Sequence, residues 1–154
     1  MTSLSCKVLK TLEGKTLATA ESCTGGMIGA ALTAIPGSSA VYKGGVISYT
    51  NQIKHDLLGV SQLLLKEKGA VSKEVAEAMA VGVRNTMKAD VAVSVTGLAG
   101  PGGDEYGNTV GTVFIGYADD RCCIAKHFLF TGDREAVRTQ AAEAALETVL
   151  EYQI

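Results

Sequence analysis

The segment LATAESCTGGMIGAAL, residues 17–32, constrains the fold more than any other part of the chain. A short strand-like run breaks at a cluster holding a carboxylate, hydroxyls, a thiol and two glycines, then restarts as an alanine-rich helical stretch. A strand that feeds straight into a helix buries both by laying one against the other, which points to layered α/β structure. The glycines mark where the backbone must turn tightly.

The alternation continues along the chain. Leu4, Val8, Leu9 and Leu12 fall at helical spacing, with Gly14 where a helix stop belongs. GGVISYT reads as a second strand, and Asn51 is placed to cap NQIKHDLLGV, whose Ile53, Leu57 and Leu58 share a face and whose first turn carries Lys54. Ser72 caps the clearest helix, with Val75, Ala78, Met79, Gly82 and Val83 on one side. DVAVSVTG is a buried strand, and GLAGPGGDEYGNTVG is too rich in glycine for regular structure, so it is read as an active-site or lid loop. TVFIGYA and CCIAKHFLF form a hairpin about Asp119, Asp120 and Arg121, and a long helix follows TGD. The expected fold is α/β, a three-layer α/β/α arrangement with a mixed sheet that includes a C-terminal antiparallel hairpin. Residues 1–154 are read as a single domain, without repeat or linker.

Composition then removes whole classes of function. A net charge of -2 leaves no electrostatic footprint for nucleic acid or an anionic membrane, and aromatics at 5% argue against base-stacking platforms. No apolar run nears the roughly 20 residues of a membrane span, and MTSLSCKVLK is not a secretory leader. A soluble, cytoplasmic protein with no membrane or nucleic-acid partner is expected. Cys6, Cys23, Cys122 and Cys123 make no C-x-x-C pair and no zinc spacing, so reduced thiols and no metal are expected.

Three groupings could carry chemistry. In the first, Ser22 or Thr24 is either an N-cap or, at a strand end with free N–H groups nearby, a hydroxyl able to attack a carbonyl. Cys23 competes as a nucleophile but has no evident histidine partner, since His55 and His127 sit in no cysteine–histidine signature. The second, Tyr49, Asn51 and Lys54, supplies a lysine that could take a serine proton if burial lowers its pKa, and a phenol to relay it; the plainer reading is a solvated lysine and an edge tyrosine. In the third, Gly97, Gly100, Gly102 and Gly103 let backbone approach a ligand, Thr131 or Asp133 caps the last helix, and Arg134 and Arg138 either clamp an anion or pair with Asp133 and Glu135.

Taken in order, TAESCTGG, GSSAVYKGGVISYTNQIK, GAVS, VSVTGLAGP, VGTVF and FTGDREAVR resemble the C-terminal domain of the CinA family across nearly the whole chain. The resemblance implies a nicotinamide-nucleotide amidase, deamidating nicotinamide mononucleotide to the nicotinate nucleotide and ammonia in pyridine nucleotide recycling, with no metal or organic cofactor. It assigns Ser22 as nucleophile, Lys54 as base and Tyr49 as its companion, with Thr24, Gly25, Gly26, Gly45, Thr96, Gly97, Gly100 and Arg134 binding oxyanion or substrate. The implied partner is a small nucleotide substrate, and a homo-oligomer is expected. Two departures stand out: many relatives carry Lys-Pro shortly before VGTV where this chain has Asn108-Thr109, and the larger N-terminal domain of full-length family members is not part of the sequence, which suggests a stand-alone form. A different carboxamide substrate, or a non-catalytic binding module in which Ser22 is only a cap, are the competing expectations.

Overall fold

The computed structural model describes residues 1–153. Its elements are α1 (Thr2–Thr11), β1 (Leu17–Glu21), α2 (Met27–Thr33), β2 (Tyr42–Ile47), α3 (Asn51–Leu58), α4 (Gln62–Lys68), α5 (Lys73–Met87), β3 (Val91–Gly97), β4 (Thr112–Ala118), β5 (Cys123–Leu129) and α6 (Arg134–Tyr152), with one 3-10 turn at Ser38–Ala40. The strands form one sheet in the order β2-β1-β3-β4-β5. β1 runs parallel to both β2 and β3, whereas β4 is antiparallel to β3 and to β5. The mixed sheet and terminal hairpin agree with the sequence reading. Helix α4, capped by Ser61, was not anticipated: its run of three leucines lacks a clear helical period.

Strand alternation divides the core in two. Val91, Val93 and Val95 of β3 and Val113, Ile115 and Tyr117 of β4 face α1, α2 and α6, together with Val8, Leu12, Ile28, Leu32, Val137 and Leu146. On the other face, Ala18 and Ala20 of β1 and Ala92 of β3 pack against Leu58, Leu65, Val75, Met79 and Val83 of α3, α4 and α5. Small residues on that face allow α5 to lie close to the sheet, where the buried Ser94 hydroxyl donates to the Ala76 carbonyl at 2.6 Å. Gly116 lies directly beneath this contact, and a Cβ there would collide with both the Ala76 carbonyl oxygen and the Ser94 hydroxyl.

The chain leaves β1 through α2 to reach β2 on one side, then crosses under the sheet through α3, α4 and α5 to reach β3 on the other. The carboxyl ends of β1 and β3 therefore border a crevice where the connections diverge, the place where open parallel sheets accept ligands. Among the described residues no helix is long and apolar enough to cross a membrane.

Gly116→Ala is expected to cost about 1–3 kcal/mol through overpacking against α5. Urea denaturation would detect it, and an unchanged midpoint would mean that α5 is free to lift away from the sheet.

Candidate active site

Three chain segments leave the carboxyl ends of the parallel strands at this crevice: Ser22 to Gly26 after β1, Ser48 to Thr50 after β2, and Leu98 to Gly103 after β3. With the start of α6 they enclose a cavity of about 290 Å³, lined by Ser22, Cys23, Tyr49, Lys54, Thr96 and Arg134 among others.

The turn after β1 is tied down from several directions. Ser22, 7% exposed, donates its amide to the Val95 carbonyl at 3.0 Å, extending the β1–β3 ladder by one residue. Its own carbonyl accepts from the Gly25 amide at 3.1 Å, and Gly25 and Gly26 adopt the left-handed φ values of 59° and 109° that this tight turn requires. Glu21, 2% exposed, accepts from the Thr24 hydroxyl at 2.7 Å, from the Gly26 amide at 3.2 Å, and from the Ile28 and Gly29 amides at 3.0 Å each. The sequence offered Ser22 or Thr24 as the cap of α2, and neither caps it; Glu21 satisfies its first amides instead, placing a carboxylate at the positive end of the helix dipole. The Gly25 and Gly26 amides, expected to face substrate, are thus already engaged. The amides of Cys23 and Thr24 donate to no oxygen among the described residues.

Lys54 enters from α3. Thr50 caps this helix, its hydroxyl accepting from the Ile53 amide at 3.4 Å, and Asn51 is the first helical residue rather than the cap. Side chains on a helix lean toward its N-terminus, so Lys54, one turn in, reaches back over the segment that precedes the helix. Its Nζ donates to the Ser48 carbonyl at 2.7 Å, the Tyr49 carbonyl at 3.3 Å and the Ser22 Oγ at 3.0 Å. The residue is 1% exposed. Burial pulls its pKa from 10.5 down to about 8, opposed only weakly by the neighbouring Cys23. A neutral amine has two protons and one lone pair, and here two carbonyls are present for the protons while the serine oxygen faces the remaining position.

The other sequence candidates divide. Thr96 lines the cavity, and its hydroxyl donates to the Ala70 carbonyl at 2.7 Å; Gly97 and Gly100 line it as well. Gly45 does not: it lies in β2 opposite Thr19 and borders a separate groove beside α2. The Tyr49 phenol is not hydrogen-bonded to Ser22 or Lys54; it accepts from Arg134 Nη2 at 3.3 Å, while Arg134 Nη1 donates to the Gly100 carbonyl at 2.6 Å. Arg138 donates from Nε to the Cys23 carbonyl at 2.9 Å and from Nη2 to the Thr24 carbonyl at 3.3 Å. Neither arginine pairs with Asp133, which caps α6, or with Glu135. The Cys23 thiol is buried and pushed up to about 11, chiefly by desolvation, so it is protonated at neutral pH. Both histidines are occupied elsewhere, His55 on the Val60 carbonyl and His127 stacked on Phe114.

The loop between β3 and β4 has its own anchors where Lys-Pro is missing. Asp104 accepts from the Tyr106 and Asn108 amides at 3.0 Å and from the Asn108 side chain at 2.8 Å, and Asn108 also donates to the Val71 carbonyl at 3.0 Å. These bonds hold the Asp104 carboxyl below the usual range despite some desolvation. The Tyr106 phenol donates to the Lys66 carbonyl at 2.7 Å, with its ring over Gly69.

Comparison with known proteins places this geometry. The CinA C-terminal domain family profile matches residues 1–153. A nicotinamide-nucleotide amidohydrolase PncC from Enterobacter agglomerans is 53% identical over 133 residues, covering 85% of this chain and 80% of that protein. A CinA-like protein of Geobacter metallireducens is also 53% identical, over 87% of this chain but only 32% of its own length, and the chain spans about a third of most of the curated relatives it matches. Among solved structures, a CinA superfamily protein from Klebsiella pneumoniae superposes with a TM-score of 0.95 at 35% identity, covering 99% of this chain and 96% of that one. CihA from Agrobacterium tumefaciens gives 0.95 at 36% identity, covering 99% and 95%.

Two consequences are measurable. Because the unfolded chain binds the Lys54 proton more tightly, the charged side chain opposes folding in full below about pH 8, and the penalty fades as pH rises toward 10.5. Relative to Lys54→Met, the wild type should gain roughly 3 kcal/mol of unfolding free energy across that interval in urea titrations, and parallel curves would contradict the burial argument. Asn108→Ala should open the loop between β3 and β4, seen as faster limited proteolysis between Leu98 and Gly111, with the thermal midpoint nearly unchanged.

Proposed function

Because the chain belongs to the CinA C-terminal domain family, we propose that it is an amidase that removes the amide nitrogen of nicotinamide mononucleotide, giving the nicotinate nucleotide and ammonia, as a step in pyridine nucleotide recycling. The observation that carries this reading is the buried Lys54 Nζ, 3.0 Å from the Ser22 Oγ and held by two backbone carbonyls. A binding module would have no use for a desolvated lysine beside a serine at the end of a strand. The PncC name of the Enterobacter relative supports the choice of substrate.

In this mechanism neutral Lys54 takes the Ser22 proton as the oxygen attacks the carboxamide carbon. The Ser48 and Tyr49 carbonyls fix the two amine protons, which leaves the lone pair facing Ser22. The developing oxyanion is bound by the Cys23 amide, the free donor of the turn that borders the cavity beside Ser22. Lys54, now an ammonium, returns its proton to the departing nitrogen, and ammonia leaves a nicotinoyl ester on Ser22. Water, deprotonated by Lys54 in turn, hydrolyses that ester. General-base assistance supplies about 10²–10⁴-fold and an oxyanion donor about 10²–10³-fold, so amide cleavage requires both. Tyr49 serves through its carbonyl, and its phenol stands at the cavity mouth with Arg134, whose guanidinium has no carboxylate partner and is available to the substrate phosphate.

The test is ammonia release from nicotinamide mononucleotide. The rate kcat/KM should climb about tenfold per pH unit below an inflection near 8, as Lys54 becomes neutral in the free enzyme. Lys54→Ala should lose about 10²–10⁴-fold in kcat, and adding Ser22→Ala should cost little beyond Ser22→Ala alone, because the pair acts as a unit. No release by the wild type, with release from another carboxamide in a panel with and without the 5'-phosphate, would keep the machinery and change the substrate.

A further inference from the structure

Arg138 is a half-buried cation that pairs with no carboxylate among the described residues and is not among the residues lining the cavity. Both of its hydrogen bonds go to consecutive backbone carbonyls of the turn that follows Ser22, those of Cys23 at 2.9 Å and Thr24 at 3.3 Å. In a trans peptide the carbonyl and the N–H of one plane point in opposite directions. Drawing the Cys23 and Thr24 carbonyls toward α6 therefore turns the Thr24 and Gly25 N–H groups away from it. The Gly25 N–H is used by the Ser22 carbonyl, and that bond in turn directs the Cys23 N–H out of the turn. Of the two amides without an oxygen acceptor among the described residues, those of Cys23 and Thr24, the Thr24 residue is fully buried and Cys23, immediately after the nucleophile, borders the cavity.

From this arrangement we infer that Arg138 is a positioning residue for catalysis: by fixing the Thr24 carbonyl it holds the Gly25 amide on the Ser22 carbonyl, and so sets the peptide plane whose Cys23 amide receives the oxyanion. Glu21 holds the opposite side of the same turn through Thr24 and Gly26, so the two residues clamp it from both faces. The guanidinium fork holds two adjacent carbonyls from separate nitrogens in one fixed plane, whereas a lysine ammonium is a single point on a flexible stem. Its positive charge also lies close enough to lower the neighbouring Cys23 pKa, and the same field favours an anion forming beside Ser22. An amide misplaced by an ångström loses about 10²-fold in rate, so the effect falls on the transition state and leaves ground-state binding nearly untouched.

The inference rests on the amidase reading, and the experiment separates the two. Wild type, Ser22→Ala, Arg138→Met and Arg138→Lys are treated with a fluorophosphonate, whose phosphorus is attacked by the Ser22 oxygen with loss of fluoride, and labelling at Ser22 is followed by mass spectrometry. Turnover of nicotinamide mononucleotide and thermal unfolding are measured on the same preparations. For Arg138→Met, labelling and kcat should both fall about 10²-fold with KM within about threefold, Arg138→Lys should be intermediate, and added guanidinium should restore part of the loss in Arg138→Met. Should Arg138→Met fail to fold, the kcat loss in Arg138→Lys at unchanged KM decides the question. Wild-type labelling and kcat in folded Arg138 variants, even with a lowered melting temperature, would leave Arg138 a purely structural residue and overturn the inference while the amidase reading stands. No labelling of Ser22 in the wild type would instead overturn that reading.

Discussion

A single carboxylate organises the reactive end of this protein. Glu21 ends β1, and instead of reaching solvent it turns under the following residues and collects four donors spread over Thr24 to Gly29. Burying a carboxylate is costly unless hydrogen bonds replace its water, and here the only groups in reach are those of the turn and the next helix. The geometry of the turn is therefore inseparable from the hydrogen bonds that Glu21 accepts. Ser22 inherits its place from the residue before it, and the glycines are needed because the chain must double back within hydrogen-bonding range of its own strand end.

Lys54 has the converse problem. Its charge is surrounded by neutral acceptors with no contacting carboxylate among the described residues, so desolvation outweighs the opposing effect of Cys23 and the neutral form is brought within reach of physiological pH. A carboxylate beside it would have strengthened the fold near neutrality and kept the amine charged. The same restraint appears at Arg134 and Arg138, which take carbonyls and a phenol as partners, Arg134 in the cavity wall and Arg138 behind the turn that borders it.

Much of this was legible in the residues. The strand–turn–helix segment, the hairpin and the cap at Ser72 follow from local preferences and form as read, and of the two caps offered for the last helix, Thr131 and Asp133, the structure uses Asp133. Ser22 and Lys54 were paired as a chemical hypothesis, but their 3.0 Å contact needs β1 beside β2, a fact of topology. What escaped depended on side chains bonding to distant or unexpected backbone. Glu21 displaced the hydroxyls as the cap because it lies at the strand end, where a longer side chain can reach amides up to eight residues on. Thr50 preceded Asn51 as the cap because the helix begins one residue earlier than the apolar pattern suggests. Asn108 replaced a missing proline with hydrogen bonds, a substitution of mechanism that residue type alone does not reveal. The arginines were offered ion pairs by their neighbours in sequence and found carbonyls 34 and 115 residues away.

That last span bears on when the serine becomes competent. The contact between Arg138 and Cys23 bridges 115 residues, against 32 for Lys54 and Ser22. Contacts of such separation close late in folding, after the local hairpin and the helices that flank it. During synthesis, the residues that bring Lys54 to Ser22 are made before the final helix, while the contact of Arg138 with the turn cannot yet exist. A partly folded chain thus carries a serine without its finished surroundings, and the last helix to dock is the one that completes them.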